Sequence, residues 1–239
     1  MGTSIKGLLF DYGGTLDTNG KHWATVLWDL YGVYAIDISR DQFYEAYVFA
    51  ERELGTKPHI EPDFDFQQVL SIKITLQFEY LKAQGIALDE SLISSIVWSA
   101  YRLASQTVEY SKPLLESLHG RIPMVMVSNF YGNLQTVLKD FGIHHYFDTI
   151  VESAVVGVRK PDAAIYQLGV DALGLPAENC LVIGDSYTKD MAPGKACGCQ
   201  TLWLRGADWN PDKETNDVSA ADQEIYDVLE VKTVVEKYL

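Results

Sequence analysis

Short apolar runs rich in β-branched residues recur along the chain, and a turn and a helix-like stretch follow most of them. This alternation constrains the fold more than any other feature, because it is typical of a parallel sheet whose faces are covered by helices. A weak run covers residues 149–151, and the four clear runs are residues 7–10, 124–127, 180–183 and 201–204. The pattern predicts an α/β fold with a parallel sheet at its core.

A different pattern separates the first run from Pro113, with helical periodicity and little strand signal. Ser39 and Gln42 have the spacing of a capping box, and residues 65–83 carry apolar side chains at helical spacing. A long helical stretch between two strands indicates an inserted domain. We predict a core made of residues 1–16 and 113–239, and a helical domain of residues 17–112.

After this insertion the alternation of strands and helices returns. One helix is predicted over residues 133–140 and ends before Gly142, and another is predicted to open at Pro161 and to run to about Gly174. Residues 207–222 are polar and rich in turn formers, which predicts a surface loop before a closing helix or strand.

The chain is acidic, since 33 Asp and Glu residues against 19 Lys and Arg residues give a formal charge of −14. Such a charge repels nucleic acids and anionic membranes unless a basic patch intervenes, and the basic residues are scattered. No apolar run of the sequence reaches the roughly 20 residues that span a bilayer. We therefore expect a cytoplasmic protein that acts on a small molecule, with neither nucleic acid nor membrane as partner.

The cysteines Cys180, Cys197 and Cys199 are odd in number, and two of them lie one residue apart, where a mutual disulfide would be strained. The neighbouring sequence offers no further Cys or His residues at the spacing of a metal site. We expect reduced structural thiols.

Polar clusters follow three of the runs. Asp11 follows the first run, and Gly13 and Gly14 come next, whose backbone N–H groups can approach an anion. Ser128 and Asn129 follow the second run and carry a hydroxyl and an amide that can donate to phosphate oxygens. Because ligands of open α/β sheets bind at the carboxyl ends of the strands, we expect the clusters to share one crevice.

The remaining two clusters supply a cation and two carboxylates. Lys160 precedes Pro161, and we expect it beside the positive N-terminal end of the predicted helix, where an anion is favoured. Asp185 and Asp190 follow the third run and offer the oxygen ligands that a hard divalent cation prefers. Each cluster alone also has an ordinary structural explanation, as a turn, a helix cap or a surface lysine.

Together and in this order, the four clusters resemble the four motifs of the haloacid-dehalogenase superfamily. The resemblance covers about residues 5–16 and 113–205, and the helical insertion resembles the superfamily's type-one cap. It implies a Rossmann-like core and a Mg²⁺-dependent hydrolase, with a phosphorylated small molecule as substrate and Mg²⁺ as cofactor.

The resemblance also implies a role for each matching residue. Asp11 would attack phosphorus and form an aspartyl-phosphate, with Lys160 as its catalytic partner. The oxygens of the transferring group would be held by Ser128, Asn129 and Lys160. Mg²⁺ would be bound by Asp11, the backbone carbonyl of Gly13 and Asp185, and Asp190 would support it, either as a further ligand or by contacting the residues that bind it. Charge neutralisation is needed because a phosphate dianion repels a carboxylate nucleophile.

Gly13 departs from the pattern of the superfamily's phosphatases, which usually carry a second Asp there as general acid and base. General acid–base catalysis contributes about 10²- to 10⁴-fold. We therefore predict a slow or selective phosphatase that favours good leaving groups. Asp17 and His22 are the candidates for a replacement acid.

Three alternative functions stay open. A phosphonatase of the superfamily would use a cap lysine as Schiff base, and Lys57, Lys73 and Lys82 lie in the insertion without a motif to choose among them. A haloacid dehalogenase would have Tyr in place of Gly13 and would lack the metal-binding carboxylates. A protein that binds phosphate or a partner without turnover would also account for Gly13. The sequence indicates neither the substrate nor the oligomeric state.

Overall fold

Six parallel strands form the centre of the molecule in a computed structural model, which describes residues 4–207, 209 and 218–238. The strands are β1 Gly7–Phe10, β2 Met124–Ser128, β3 Thr149–Glu152, β4 Cys180–Gly184, β5 Gln200–Leu204 and β6 Gln223–Ile225. Their order across the sheet is β3-β2-β1-β4-β5-β6, so the first strand lies in its interior. The predicted Rossmann-like α/β fold is confirmed, and all five predicted runs form strands.

The sheet is buried on both faces. Leu9 of β1 packs with Val125 and Val182 of the two neighbouring strands on one face, whereas Leu8 and Phe10 belong to the cluster on the other face. Successive side chains of a strand point to opposite faces. A sheet covered on both sides therefore requires strands that are apolar throughout, as the sequence runs are.

Four helices fill the insertion between β1 and β2, namely α1 Trp23–Val33, α2 Arg40–Thr56, α3 Phe66–Ala83 and α4 Leu92–Leu118. Ser39 caps α2 and Asp65 caps α3, each within a complete capping box. The capping box predicted at Ser39 is thus confirmed. Helix α1 is missing from the sequence prediction because its N-cap is His22, which is not among the residues that usually signal a helix start.

Pro113 lies inside α4, so the predicted boundary between residues 112 and 113 falls within one continuous helix. Apolar side chains of the insertion, such as Phe43 and Phe78, belong to the same buried cluster as Leu8 and Phe10 of the sheet. The division into a core and a cap domain stays a prediction.

Shorter helices follow β2, namely α5 Leu134–Asp140, α6 Ser153–Val156, α7 Ala164–Leu173, α8 Ala192–Ala196 and α9 Glu230–Val235. The predicted helix over 133–140 is α5, which has Asn133 as its N-cap. Single turns of other helical types cover His144–Tyr146, Ala177–Asn179 and Tyr187–Met191.

The predicted start of a helix at Pro161 is wrong. The Lys160–Pro161 peptide bond is cis, and a turn precedes the helix, closed by a hydrogen bond of 3.0 Å from Asp162 N to Arg159 O. Helix α7 begins at Ala164, where the Asp162 side chain accepts a hydrogen bond from the backbone N–H at 2.9 Å. Lys160 therefore lies in this turn and not in the first turn of the helix.

Part of the loop predicted over residues 207–222 lies outside the described residues, namely 208 and 210–217. Beyond the loop, β6 and α9 close the described chain. Cys180, Cys197 and Cys199 are free thiols. Within the described ranges, no helix is both long enough and apolar enough to cross a membrane. The cytoplasmic location stays a prediction.

The sheet order brings the carboxyl ends of β1, β2 and β4 side by side, since Phe10 pairs with Met126 on one side and with Ile183 on the other. The chain continues from β1 into Asp11, whose backbone N–H still donates to Ile183 O at 2.9 Å. Strand β2 ends at Ser128. Polar residues that are far apart in the sequence thus meet at one edge of the sheet, where open α/β sheets bind their ligands.

Candidate active site

The ammonium group of Lys160 lies between two buried carboxylates at this edge. Its Nζ is 2.6 Å from Asp11 Oδ1 and 2.6 Å from Asp190 Oδ1. Tyr166 of α7 donates its hydroxyl to the same oxygen of Asp190 at 2.7 Å. Asp11, Lys160 and Asp190 are each at most 5% exposed, so water screens their interactions little.

Asn129 holds the backbone of Lys160 in place. Lys160 N donates to Asn129 Oδ1 at 2.9 Å, and Asn129 Nδ2 donates to Lys160 O at 3.1 Å. These bonds use the amide oxygen and one of the two N–H donors that an Asn side chain has. Asn129 therefore fixes the lysine directly, and one N–H remains for the predicted contact with phosphate.

Ser128 is the last residue of β2, and its side chain lines the same cavity as Asp11 and Lys160. The residue is 2% exposed, and its hydroxyl makes no hydrogen bond to any residue that the structure describes. A hydroxyl that lines a cavity without a protein partner can donate to a ligand held there. Ser128 is therefore suited to donate to an anion held in the cavity.

Thr15 links the first and last carboxylate clusters. Its hydroxyl is 3.2 Å from Asp11 Oδ2 and 3.2 Å from Asp185 Oδ1. The chain turns at Gly14, which precedes Thr15 and has a φ of +101°. A Cβ on Gly14 would collide with the Asp185 carboxylate. Glycine is needed here both for the backbone conformation and for the close approach of the two loops.

Asp11, Asp185 and Asp190 form a site that suits a divalent metal ion. Each offers a carboxylate oxygen, and these oxygens lie within 4.8 Å of one another. The carbonyl of Gly13 accepts no hydrogen bond from the described residues and is therefore also available as a ligand. Oxygen ligands of this kind are those that Mg²⁺ and Ca²⁺ prefer. The residues present therefore fit the predicted Mg²⁺.

Burial and the excess of negative charge shift the pKa values of Asp11, Asp185 and Lys160. Burial raises the pKa of Asp185 well above its ordinary value, and the neighbouring Asp11 and Asp190 raise it further. Burial also raises the pKa of Asp11, although Lys160 opposes this. Burial alone would lower the pKa of Lys160, but Asp11 and Asp190 outweigh it and the pKa is raised. One ammonium does not balance three carboxylates, and a divalent cation would.

Gly13 lines the cavity and has room for a side chain. A Cβ built on it would meet no atom within 4 Å, and its φ lies outside the left-handed region. Nothing in the local packing therefore requires glycine at this position. This contrasts with Gly14, where a side chain would collide with Asp185.

Asp17 is the stronger of the two candidates for a replacement acid. It lines the cavity, and its carboxylate accepts hydrogen bonds from Gly14 N at 2.7 Å and from Trp23 Nε1 at 2.9 Å. Burial raises the pKa of Asp17 to about 7, although both hydrogen bonds oppose the rise. A carboxyl group that titrates near neutral pH is suited to proton transfer.

His22 also lines the cavity, but its ring has a structural role as well. It is the N-cap of α1, and its Nδ1 accepts a hydrogen bond from Ala24 N at 3.1 Å. Accepting at Nδ1 places the proton of the neutral ring on Nε2. His22 therefore commits Nδ1 to the helix and carries the ring proton on Nε2.

The site opens into a cavity of about 360 Å³ between the sheet edge and the insertion. The insertion contributes aromatic rings and an ion pair to its wall, namely Trp23, Tyr44, Tyr47, Glu51, Phe66 and Lys73. Phe130 and Tyr131, from the loop after β2, contribute two further rings. The volume lies at the lower end of the range typical of small-molecule sites.

All seven predicted site residues line this cavity or the carboxylate cluster, namely Asp11, Gly13, Ser128, Asn129, Lys160, Asp185 and Asp190. Sequence reasoning assigned no role to Thr15 and did not find Tyr166, Glu51 or Tyr131. Thr15 lies within the first cluster and could have been noticed there. Tyr166, Glu51 and Tyr131 carry no sequence signal, because only folding brings Tyr166 to Asp190 and the other two to the cavity.

A model of the haloacid dehalogenase-like hydrolase family matches residues 5–198. The match includes the whole of the site described above. The chain therefore belongs to the haloacid dehalogenase-like hydrolases, as the order of its polar clusters predicts.

Similarity to individual proteins is weaker. The pyrimidine 5′-nucleotidase YjjG of Escherichia coli is 33% identical over 93 residues, which are 38% of this chain and 41% of that protein. The chain thus matches about two fifths of the length of this relative. Among solved structures, the hydrolase YfnB of Bacillus subtilis, bound to magnesium, aligns with a TM-score of 0.58 and 20% identity, covering 97% of this chain and 99% of that one.

A dehalogenase has a similar fold. The L-2-haloacid dehalogenase of Xanthobacter autotrophicus aligns with a TM-score of 0.59 and 15% identity, over 98% of this chain and 100% of that one. At this level of identity both structural alignments show the fold alone. The choice between reactions therefore depends on the residues of the site.

Proposed function

We propose that the protein is a Mg²⁺-dependent phosphatase that acts on a small phosphorylated molecule through an aspartyl-phosphate on Asp11. The observation that carries the proposal is the contact of Asp11 with Lys160, beside the Asp185 and Asp190 carboxylates and the unpartnered hydroxyl of Ser128. A nucleophile, donors for phosphate oxygens and oxygen ligands for a cation meet in one cavity.

The charges of the cavity support an anionic substrate bound together with a metal ion. Five carboxylates line it, those of Asp11, Asp17, Glu51, Asp185 and Asp190, against the ammonium groups of Lys73, Lys160 and Lys189. A phosphate dianion would be repelled by this excess of carboxylates. Bound Mg²⁺ would supply the positive charge that offsets it and polarise a phosphoryl oxygen.

The residues then divide the reaction into two displacements. A carboxylate oxygen of Asp11 attacks phosphorus, and the bond to the leaving-group oxygen breaks while Ser128 and Lys160 hold the transferring oxygens. Water then attacks the phosphorus of the aspartyl-phosphate, which releases inorganic phosphate and restores Asp11. Asp17 is the group best placed to give a proton to the leaving group and later to accept one from water.

Two observations favour a phosphatase over a phosphonatase. Of the three lysines considered, Lys73 lines the cavity, whereas Lys57 and Lys82 form ion pairs at the surface with Glu53 and Glu90. Burial alone would lower the pKa of Lys73, but Glu51 and Tyr131 outweigh it and raise the pKa. Lys73 therefore stays protonated, whereas formation of a Schiff base needs the neutral amine.

The carboxylate cluster argues against a dehalogenase. Displacement of halide from a haloacid needs no divalent cation, so a buried set of three carboxylates would add repulsion and no function. The E. coli relative points the same way, since it is a pyrimidine 5′-nucleotidase. Halide release from a 2-haloacid would instead support a dehalogenase.

The test is the release of phosphate from acetyl phosphate and from a panel of phosphorylated metabolites. We expect release by the wild type with Mg²⁺, and loss with EDTA and in Asp11→Asn. Asp171→Asn is the matched control, because Asp171 is exposed on α7. Mg²⁺-dependent binding of a phosphate analogue without any product release would instead support a protein that has lost turnover.

A further inference from the structure

Lys73 and Glu51 form an ion pair in the cavity wall opposite the sheet. Lys73 Nζ is 2.7 Å from Glu51 Oε1, and the Tyr131 hydroxyl donates to Glu51 Oε2 at 2.9 Å. The side chain of Lys73 is 9% exposed and that of Glu51 is 33% exposed. The pair thus lies in the cavity wall, with Lys73 nearly buried and Glu51 partly exposed.

Both members of the pair keep hydrogen-bonding capacity. An ammonium group has three donors, and among the described residues Lys73 contacts only Glu51 and the ring and hydroxyl of Tyr131. A carboxylate accepts about four hydrogen bonds, and Lys73, Tyr131 and Tyr47 approach that of Glu51. By this count Lys73 keeps at least one donor and Glu51 at least one acceptor position, and both residues line the cavity.

Aromatic rings flank this polar pair. Tyr44 and Tyr47 of α2 stack at 6.4 Å between ring centroids, and Phe130 and Tyr131 lie 5.0 Å apart in the loop after β2. All four line the cavity. Aromatic walls favour a flat ring as ligand, because such rings stack or pack edge to face.

We propose that the leaving group of the substrate carries a planar heterocycle with neighbouring hydrogen-bond acceptor and donor groups, as a nucleoside monophosphate does. The ring would lie among the aromatic side chains, Lys73 would donate to a ring carbonyl, and Glu51 would accept from the adjacent N–H. The inference rests on the proposed phosphatase function and adds the substrate class.

The charge of the pair favours this class over a leaving group with a second phosphate or a carboxylate. Glu51 cancels the charge of Lys73, so the pair presents a dipole and no net charge. An additional anion at this end of the cavity would meet the Glu51 carboxylate. A neutral ring edge with both donor and acceptor matches the pair.

The first experiment compares uridine 5′-monophosphate with ribose 5-phosphate, which has the phosphate and the sugar but lacks the ring. We expect kcat/KM to be about 10- to 100-fold higher for the nucleotide, as stacking of a base on aromatic side chains provides. Equal or faster hydrolysis of ribose 5-phosphate would overturn the inference. Wild-type hydrolysis of acetyl phosphate tests the phosphatase function separately, because its leaving group carries no ring.

The second experiment replaces the pair. Lys73→Met alone leaves the partly buried Glu51 carboxylate without its cation and risks destabilising the fold. The informative variant is therefore Lys73→Met/Glu51→Gln, with Lys82→Met/Glu90→Gln as its matched control. The control replaces the exposed ion pair of Lys82 with Glu90 and lies away from the cavity. We expect the preference for nucleotide over ribose 5-phosphate to fall to within about threefold of unity in the first variant and to persist in the control.

Binding of the ring can also be measured without its turnover. Uridine should inhibit acetyl phosphate hydrolysis competitively in the wild type and in the control, and about tenfold more weakly in Lys73→Met/Glu51→Gln. Circular dichroism establishes that the variants are folded. Inhibition of equal strength in all three proteins would overturn the assignment of Lys73 and Glu51 to ring binding.

Discussion

At the scale of single residues, the site depends on ion pairs and hydrogen bonds between buried side chains. Lys160 separates Asp11 from Asp190, and Thr15 joins Asp11 to Asp185. None of these groups is stable in the interior alone, because an unpaired buried charge costs several kcal/mol. Gly13 makes no such contact and leaves open space in the cavity that it lines together with Asp11.

Gly13→Asp is expected to accelerate hydrolysis of substrates with poor leaving groups. The space around Gly13 accepts a side chain, and a carboxyl group there would supply the general acid. The rate of hydrolysis should rise by about 10²- to 10⁴-fold for ribose 5-phosphate. The rise should be smaller for acetyl phosphate, because its leaving group needs less protonation. Steady-state phosphate release measures both. Gly13→Asn is the control, and an equal gain in it would mean that proton transfer is not the cause.

Asp17 is expected to make stability depend on pH. Its pKa in the folded protein is about 7, raised by burial from an ordinary value of 3.8. Between these values the folded protein binds a proton that the unfolded chain has lost, so the free energy of unfolding falls as pH rises from about 4 to about 7. The loss is about 4 kcal/mol at most, at about 1.4 kcal/mol per pH unit.

Urea denaturation of wild type and Asp17→Asn across this range measures the effect. The difference in unfolding free energy between the two proteins should shift in favour of the variant as pH rises, because Asn does not ionise. Other buried carboxyl groups titrate in both proteins and cancel in the difference. A difference that is constant over the range would contradict the assigned pKa.

At the scale of elements, the helices of the insertion are positioned by local signals at their ends. Asp65 caps α3 through a complete capping box, and α3 carries Lys73 to the cavity wall. The turn Tyr187–Met191 is capped by Ser186, and this turn places Asp190 beside Lys160. Short-range hydrogen bonds at element ends thus set the positions of distant site residues.

Asp65→Ala is expected to lower the free energy of unfolding by about 1 kcal/mol, because the backbone N–H of Gln68 loses its acceptor. Chemical denaturation provides the measurement. Asp63→Ala is the control, since Asp63 is exposed and lies in the same loop. An equal loss in both variants would show that the cap contributes nothing specific.

At the scale of the whole molecule, the proposed metal site joins loops that follow two different strands. Asp11 follows β1, whereas Asp185 and Asp190 follow β4, and the parallel pairing of these strands brings them together. A cation bound there links the two loops in the folded state alone. Metal binding should therefore stabilise the entire fold and not one segment.

Mg²⁺ is expected to raise the Tm of the wild type. Saturation at about 100 times the Kd corresponds to about 2.7 kcal/mol of added stability. Thermal unfolding followed by fluorescence, with NaCl of equal ionic strength as the reference, measures it. Asp185→Asn should lose the stabilisation, whereas Asp171→Asn should keep it. A wild type that does not respond to Mg²⁺ would remove the metal from the proposed mechanism.

Much of the architecture could be predicted because it depends on near neighbours in the chain. The run over 180–183 is apolar on both faces and forms β4, and Ser39 with Gln42 forms the capping box of α2. Predictions failed where the local signal was misleading, as at Pro161, which is typical of a first helical turn but lies in a cis turn here. Helix α1 was missed because His22 is an uncommon cap.

By itself the sequence determined the α/β class, the order of the polar clusters and the residue types available for phosphate and metal, since these depend on composition and local spacing. The tertiary structure alone decided which atoms meet. Lys160 reaches Asp11 across 149 residues of chain, and Tyr131 reaches Glu51 across 80. These long-range contacts depend on how the sheet orders its strands and on how the insertion packs against the sheet. Burial at these contacts, which no local pattern records, then sets the charges and pKa values on which the chemistry depends.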